Sequence, residues 1–343
     1  MPVLSIIIPT YNEAENIPEL MSRMKKALRG VKHEIIVVDD NSPDNTAEIA
    51  RRLGAKVLVR PKKMGLTTAF LDGLKIATGD YVCLMDADLQ HPPEILPKML
   101  KEALNGADIV IASRYVKGGG IEGLNWLRRF ISRIARFLAY FFLPKIRKIK
   151  DPISGAFIIK KDVVEGVNFS TRGYKALLEI LVKAKYGKVT EVPYVFKKRL
   201  KGKSKLGVQE FLEYLRLLLT LTDYRVLKFM CVGASGVIVN ESALWALVTL
   251  NLPIIMASPL AIELSIVNNF VLNDIWTFKD KRTGNLLMRL LRYHSAVIIG
   301  ALVNYIALLS LIFVGVNYLL ANLMGIILGF FANYACSEAF VWR

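Results

Sequence analysis

Asp86-Ala87-Asp88 places two carboxylates at the end of the apolar run Tyr81-Val82-Cys83-Leu84-Met85. That run is short and uninterrupted, so it reads as a buried strand. Two acidic groups where a buried strand ends are expensive to desolvate unless a partner neutralises them. A hard divalent cation is such a partner, because it takes oxygen ligands and bridges a substrate's phosphates. Gln90 stands two residues on and offers a further oxygen. By itself the pattern equally describes a solvated loop, so its neighbours decide its meaning.

The elements that must position these groups alternate through the first half of the chain. Apolar runs at Leu4–Ile8, Glu34–Val38, Lys56–Val59 and Ile109–Ala112 read as four more strands. Between them lie helical stretches, including Gly65–Ala77, with Asp44 or Thr46 as a cap. This order predicts a mostly parallel α/β sheet covered by helices on both faces. Ligands bind such sheets outside the carboxyl ends of the strands. Asp39, Asp40, Asp86 and Asp88 all fall at such ends, which favours a metal-nucleotide site. No Gly-x-x-x-x-Gly-Lys-Ser/Thr loop occurs, which disfavours a P-loop nucleotidase.

Pro9-Thr10-Tyr11-Asn12-Glu13, Val37-Val38-Asp39-Asp40-Asn41-Ser42 and Asp86-Ala87-Asp88-Leu89-Gln90 resemble, in this order, the family 2 glycosyltransferases of the Rossmann-like GT-A fold. The resemblance covers residues 1–205 and implies a nucleotide-sugar donor. It places Pro9, Tyr11, Glu13, Val37, Asp39, Asp86 and Lys205 on the nucleotide. It places Asp86, Asp88 and Gln90 on Mg2+ or Mn2+.

The second half is a different material. Four apolar stretches, roughly 228–250, 253–276, 293–315 and 317–340, are each long enough to cross a bilayer, which takes about 20 residues. The mean hydropathy is positive. Arg225, Lys228, Lys279, Lys281, Arg282, Arg289, Arg292 and Arg343 flank one side of these spans, and the opposite turns carry no Lys or Arg. The positive-inside rule assigns the charged side to the cytoplasm. Met1–Pro9 lacks a basic start and a long apolar core, so the catalytic half is expected there too.

The spans repeat. Phe229, Gly236 and Asn240 recur as Tyr293, Gly300 and Asn304, and Asn269-Phe270, Trp276 and Phe278 recur as Asn333-Tyr334, Phe340 and Trp342. The offset is 64 throughout (293 − 229, 342 − 278). A gap-free offset spanning two crossings implies a duplicated helix hairpin in parallel orientation. The pattern resembles the GtrA-like four-helix membrane domain, expected over 225–343, with 206–224 as a linker or interfacial helix. The asparagines read as interhelical hydrogen-bonding groups. Glu241 and Glu263 are costlier in a bilayer, and Glu263 is the stronger candidate for a paired or functional group.

The net charge of +17 concentrates where the two halves join. Residues 124–143 are amphipathic: Leu127, Ile131, Ile134, Leu138 and Phe141 form one stripe and Arg129, Arg133 and Arg136 another. Such a helix suits a membrane interface with anionic lipid. Nucleic acid is disfavoured as the partner, because the basic groups border spans and no nucleic-acid motif accompanies them. Arg128 and Ser132 lie one turn apart on one face. Together with Ser113-Arg114-Tyr115, Gly118-Gly119, Trp126, Asp151-Pro152-Ile153-Ser154-Gly155 and Arg199–Lys205, they resemble the dolichyl-phosphate mannose synthases. That resemblance implies that Arg114, Arg128, Ser132 and Arg199 grip an acceptor phosphate, with Asp88 the essential metal ligand.

The expected reaction is transfer of mannose from GDP-mannose to dolichyl or another polyprenyl phosphate at the cytoplasmic membrane face. A phosphate monoester is already largely dianionic near neutral pH, its second pKa being about 6, so no strong general base is required. His33, His91 and His294 are the only histidines, and His91 reads as structural. Glu179 reads either as a cleft residue or as half of a salt bridge. The three cysteines form neither a zinc nor a disulfide framework. Two other functions fit the sequence: a UDP-glucose-dependent transferase, and a lipid-linked sugar flippase with a sensory soluble half.

Overall fold

The protein is described here by a computed structural model covering residues 3–123, 126–169, 175–198 and 207–342. It divides into two compact units between Leu221 and Thr222.

In the first unit, short runs of β-branched residues alternate with helices. The chain runs β1 (Leu4–Thr10), α1 (Ile17–Ala27), β2 (His33–Asp39), α2 (Thr46–Arg52), β3 (Lys56–Val59), α3 (Leu66–Ile76), β4 (Tyr81–Leu84), α4 (Leu96–Leu104) and β5 (Ile109–Ser113). It continues through β6 (Gly120–Ile121), α5 (Trp126–Phe142), β7 (Phe157–Lys160), α6 (Ala176–Lys183), β8 (Val189–Pro193), β9 (Val195–Phe196) and α7 (Val208–Leu221). Among the described residues, seven strands form one sheet in the order β3-β2-β1-β4-β7-β5-β8, and β6 pairs with β9. Strand β1 is buried almost throughout, as a strand with helices on both faces must be. The five expected strands are present. The sheet leaves β1 in both directions, toward β2 and toward β4, which creates a switch point there.

Strand β7 is the departure from a parallel sheet. It runs antiparallel between β4 and β5, with Leu84 opposite Phe157 on one side and Ile111 opposite Phe157 on the other. Its beginning therefore lies where β4 and β5 end. The preceding loop, 151–156, is delivered to the edge that carries Asp86 and Arg114.

Helix α7 lies within the stretch 206–224 expected as a linker or interfacial helix, and it belongs to the first unit. The Tyr214 hydroxyl donates to the Ala135 carbonyl of α5 at 2.6 Å. On α5, the large apolar side chains Trp126, Leu127, Phe130, Ile131 and Phe137 are exposed.

The second unit consists of α8 (Arg225–Thr249), α9 (Ile254–Leu272), α10 (Leu286–Phe313) and α11 (Tyr318–Cys336). With their continuations, these four helices are long and apolar enough to cross a membrane. Helices α9 and α11 each pass into a π-helical turn, Asn273–Thr277 and Ser337–Val341, and the two turns are 64 residues apart (337 − 273). The sequence repeat is thus also a repeat of local structure.

The two hairpins complete one another. Arg289 of the second forks onto Asp274 of the first, Nε to Oδ1 at 2.8 Å and Nη2 to Oδ2 at 3.1 Å. Arg225 of the first reaches Glu338 of the second at 3.3 Å. These are equivalent pairs with donor and acceptor exchanged, since 289 − 225 and 338 − 274 both equal 64. The aromatic contacts follow the same rule. Phe229 meets Tyr334 at 5.5 Å, Tyr293 meets Phe270 at 5.9 Å, and the equivalent Phe278 and Trp342 stack at 4.4 Å. Close approach needs small residues: a Cβ on Gly236 would lie 2.3 Å from Asn269 Nδ2, and one on Gly300 would lie 3.0 Å from Asn333 Cβ.

Glu263 breaks the symmetry. Its Oε1 lies 2.9 Å from His294 Nε2, while Ile327 and Met230 occupy the equivalent positions. The pairing expected for Glu263 is present.

Candidate active site

The loops after β1 and β2 are built around asparagines. Asn12, Asn41 and Asn45 all have φ near +60°, a left-handed conformation that asparagine tolerates better than most residues. The resulting turns bring the loops together. The Asn12 amide donates to Ser42 Oγ at 2.9 Å, the Glu13 amide to Thr46 Oγ1 at 2.9 Å, and the Ala14 amide to Asp44 Oδ2 at 3.1 Å. Pro9, Tyr11 and Glu13 line this edge half-buried, with the Lys63 ammonium 5.4 Å from the centre of the Tyr11 ring.

Asp39, expected on the nucleotide, is enclosed by its neighbours in this structure. It is fully buried, and its carboxylate accepts from Thr10 Oγ1 at 2.7 Å and from Ser42 Oγ and N at 2.6 and 2.8 Å. It shapes the two loops and presents no exposed oxygen. Val37 lies inside the core. Asp40 pairs with Arg60, buried on both sides, and this pair anchors the segment leading to α3.

The carboxylate motif follows β4 through a strained turn. Leu89 has φ +61° and a buried side chain, a combination that surrounding packing must enforce and that is frequent at functional sites. Asp88 Oδ1 accepts from the Gln90 amide at 3.1 Å. Gln90 is clipped to the chain after β9: its carbonyl accepts from Lys197 N at 3.2 Å, and its side-chain amide donates to the Lys197 carbonyl at 3.3 Å. Asp86 is about one-third exposed. A Cβ on Gly155 would lie 2.5 Å from Asp86 Oδ2, so only glycine leaves room for this carboxylate.

The loop delivered by β7 also holds the basic side. Arg114 forks onto fully buried Asp151, Nε to Oδ2 at 2.8 Å and Nη2 to Oδ1 at 2.7 Å. The Arg114 backbone amide donates to the same carboxylate at 3.0 Å. The guanidinium lies 5.3 Å from the Tyr115 ring and 5.6 Å from the Phe196 ring. The Tyr115 hydroxyl is 3.3 Å from Ser132 Oγ, and Arg136 stacks on the Tyr115 ring at 3.8 Å. Arg136 of α5 also donates to the Lys150 carbonyl at 3.4 Å. Arg128 is exposed on the same helix. Arg199 and Lys205 lie outside the described residues.

One aromatic wall connects the two sides. His91 stacks on Tyr194 at 5.1 Å and meets Phe196 edge-on at 5.6 Å. Its Nδ1 lies 3.7 Å from Asp86 Oδ2, and Arg114 covers Phe196.

The same chemistry emerges from comparison with known proteins. Residues 5–167 match glycosyl transferase family 2, and residues 228–342 match the GtrA/DPMS transmembrane domain. The chain is 49% identical over 348 residues to a dolichol-phosphate mannosyltransferase of Pyrococcus furiosus, covering 99% of each chain. It belongs to this family. A Saccharomyces cerevisiae dolichol-phosphate mannosyltransferase is 36% identical over 252 residues, 68% of this chain and 90% of that one. Glucosyl-3-phosphoglycerate synthase from Mycobacterium tuberculosis, solved with Mn2+, UDP and glucosyl-3-phosphoglycerate, shares the fold of the first unit. Its TM-score is 0.51 at 20% identity, over 64% of this chain and 78% of that one. The protein is a glycosyltransferase with a GT-A catalytic unit, and its four apolar helices make it an integral membrane protein.

Within this glycosyltransferase the donor set suits a hard cation. Asp86, Asp88 and the Gln90 amide oxygen are all oxygen donors, the chemistry that Mg2+ and Mn2+ prefer. Among the described residues no group of three His, Cys, Asp or Glu side chains could hold a metal ion.

The electrostatics fit two anions. Burial would weaken the Arg114 charge, but Asp151 outweighs it and holds the guanidinium firmly protonated. Burial pushes His91 down to about 3, with Arg114 and Lys175 adding to the effect, so the ring is neutral. Lys175, at the start of α6, donates to the Ile153 carbonyl at 3.3 Å. Burial lowers its pKa; Asp86 and Asp151 oppose the shift and Arg114 adds to it. Sequence reasoning missed Lys175 and gave Tyr115 and Asp151 no role of their own; Asp151 reaches Arg114 because the loop before the antiparallel β7 is delivered to that edge. Glu179 is buried and pairs with Lys183 at 3.2 Å, the salt-bridge alternative.

Proposed function

We propose that the enzyme transfers mannose from GDP-mannose to dolichyl or another polyprenyl phosphate, with inversion, at the cytoplasmic membrane face. One observation carries this reading: a carboxylate pair suited to a cation-bound diphosphate and an arginine suited to a phosphate share the wall His91–Tyr194–Phe196. The names of the relatives supply the sugar and the lipid.

Pro9, Tyr11 and Glu13 form the donor edge, and Asp39 holds its loops in place. Asp86, Asp88 and Gln90 would hold Mg2+ or Mn2+, which offsets the charge developing on the departing diphosphate. Arg114, kept charged by Asp151, orients the lipid phosphate together with Arg128 and Ser132; the family resemblance alone adds Arg199 to the acceptor phosphate and Lys205 to the nucleotide. The Nε–Nη2 fork of Arg114 is taken by Asp151, so its remaining N–H groups would meet the phosphate, as charge-assisted donors held in a fixed direction. An oxygen of the phosphate dianion forms the bond to the anomeric carbon as the bond to the diphosphate oxygen breaks. The nucleoside diphosphate leaves, and no proton needs to be abstracted. The exposed apolar face of α5 supports contact with the lipid interface, where the acceptor resides. The Lys and Arg bias at one end of the spans supports the cytoplasmic orientation.

Incubating the purified protein with a polyprenyl phosphate and either GDP-mannose or UDP-glucose, followed by mass measurement of the product, tests the reading. The expected product is a mannosyl phospholipid formed from GDP-mannose. Product from UDP-glucose alone would overturn the donor assignment. Asp88→Ala is expected to abolish transfer while the protein stays folded in detergent, and full activity in that variant would remove the metal assignment.

A further inference from the structure

His91 has no part in the chemistry above, yet its ring is held tightly. It is 3% exposed, stacked on Tyr194 at 26° between ring planes and set edge-on to Phe196 at 88°. A ring stacked on one side and another met edge-on hold the imidazole in a fixed plane. Nδ1 is aimed at Asp86, 3.7 Å from Oδ2, and has no hydrogen-bond partner among the described residues. A buried ring nitrogen left in this state is unfavourable and rare. The Asp86 carboxylate is confined on its other flank: a Cβ on Gly155 would lie 2.5 Å from Oδ2 and 3.0 Å from His91 Cε1. A movement of Oδ2 by about 0.8 Å along the line of approach would bring it to ordinary hydrogen-bonding distance, about 2.9 Å.

From this geometry we infer that His91 is a positioning residue for the cation site. In the donor-bound state its Nδ1–H donates to Asp86 Oδ2 and directs the other carboxylate oxygen toward the cation. The inference rests on the donor-site reading above. A histidine suits the task for a specific reason. A lysine or arginine in its place would also orient the carboxylate but would neutralise the charge that attracts a divalent ion. A neutral N–H orients it and leaves the charge intact. Hydrogen bonds of this kind behind metal ligands are typically worth about 10- to 100-fold in metal affinity. A packing role alone would require only a flat ring, and phenylalanine would meet it.

The test uses the full chain in detergent and measures Mn2+ affinity in the presence of GDP by titration calorimetry, beside the thermal midpoint. His91→Phe keeps the ring without the donor, and His91→Asn places an amide N–H close to the Nδ1 position. The expected result is a loss of about 10- to 100-fold in Mn2+ affinity for His91→Phe, with an unchanged midpoint, and recovery of most of the affinity in His91→Asn. Wild-type affinity in His91→Phe, or an asparagine variant as weak as the phenylalanine one, overturns the inference. If His91→Phe does not fold, His91→Gln replaces it. Glutamine carries its amide near the Nε2 position, so equal affinities for the Asn and Gln variants also overturn it. Asp88→Ala separates this inference from its foundation: wild-type Mn2+ binding in that variant refutes the donor-site reading itself, whereas loss there with no loss in His91→Phe refutes only the role of His91.

Discussion

Gly155→Ala separates geometry from stability at this site. An alanine Cβ would meet Asp86 Oδ2 at 2.5 Å and Asp86 Cγ at 3.3 Å. An unstrained contact begins near 3.4 Å, so the carboxylate must retreat by about 0.9 Å. The backbone at 155 is not left-handed; the nearest obstructing atom is the end of a partly exposed side chain that can rotate away, and buried His91, whose Cε1 lies at 3.0 Å, must give by a few tenths of an ångström. The cost to folding is therefore small, about 1 kcal/mol or less. The cost to function is larger, because a misplacement of about 1 Å in an aligned group costs on the order of 100-fold in rate. That corresponds to about 2.7 kcal/mol of transition-state stabilisation. The assay is mannosyl transfer from GDP-mannose to a polyprenyl phosphate, with Mn2+ affinity and the thermal midpoint measured on the same preparation. The expected pattern is a fall of about 10- to 100-fold in kcat/KM and a weakened Mn2+ site at an unchanged midpoint. Wild-type turnover and metal affinity would show that Asp86 need not sit where Gly155 lets it. A collapsed midpoint would show that the loop cannot yield, and the reasoning would fail on its stability side.

Arg289→Ala is expected to destabilise the membrane unit by about 3–5 kcal/mol, because it strands buried Asp274. Arg225→Ala should cost less, because Lys281 also pairs with Glu338; reversible unfolding in mixed micelles ranks the two, and the opposite order refutes the pairing scheme. Stability should also fall in acid through His91. Its folded pKa, about 3, lies below the unfolded value of about 6.5, so below pH 6.5 the unfolded chain binds a proton that the folded chain refuses. The loss should continue toward pH 3 with a slope of up to about 1.4 kcal/mol per pH unit. Parallel stability curves for the wild type and His91→Phe between pH 7 and 5 would refute it.

The parts of this fold that could be read from sequence are those whose cause is local. Strands buried on both faces appear as unbroken apolar runs, so Leu4–Thr10, His33–Asp39 and Ile109–Ser113 were legible. The run Ala156–Ile159 is no less apolar, but nothing local states that it enters the sheet backwards between β4 and β5. That single reversal sets Gly155 against Asp86 and Asp151 beneath Arg114, so the partners of the expected residues were hidden while the residues themselves were not. Asp39 shows the complementary limit. Its position at a strand end was legible, but the direction of its carboxylate depends on Thr10 and Ser42, which compete for it and enclose it.

The membrane unit shows why its repeat has kept an unbroken spacing. Arg225, Lys281 and Arg289 read from sequence as charges flanking spans, yet each pairs with Asp274, Asp280 or Glu338. Two of these links cross between the hairpins reciprocally, so each hairpin buries a carboxylate that only the other can neutralise. An insertion in one hairpin would shift its arginine or its carboxylate along the helix by about 1.5 Å and rotate it by about 100°. Since each hairpin donates to one lock and accepts in the other, the insertion would disturb both. The stack of Phe278 on Trp342, 9° from parallel, adds the same demand just after the π-helical turns of the two hairpins. Reciprocal locking therefore ties the length of each copy to the length of the other. Substitutions away from the locks are free to differ, as Glu263 and His294 do from Ile327 and Met230.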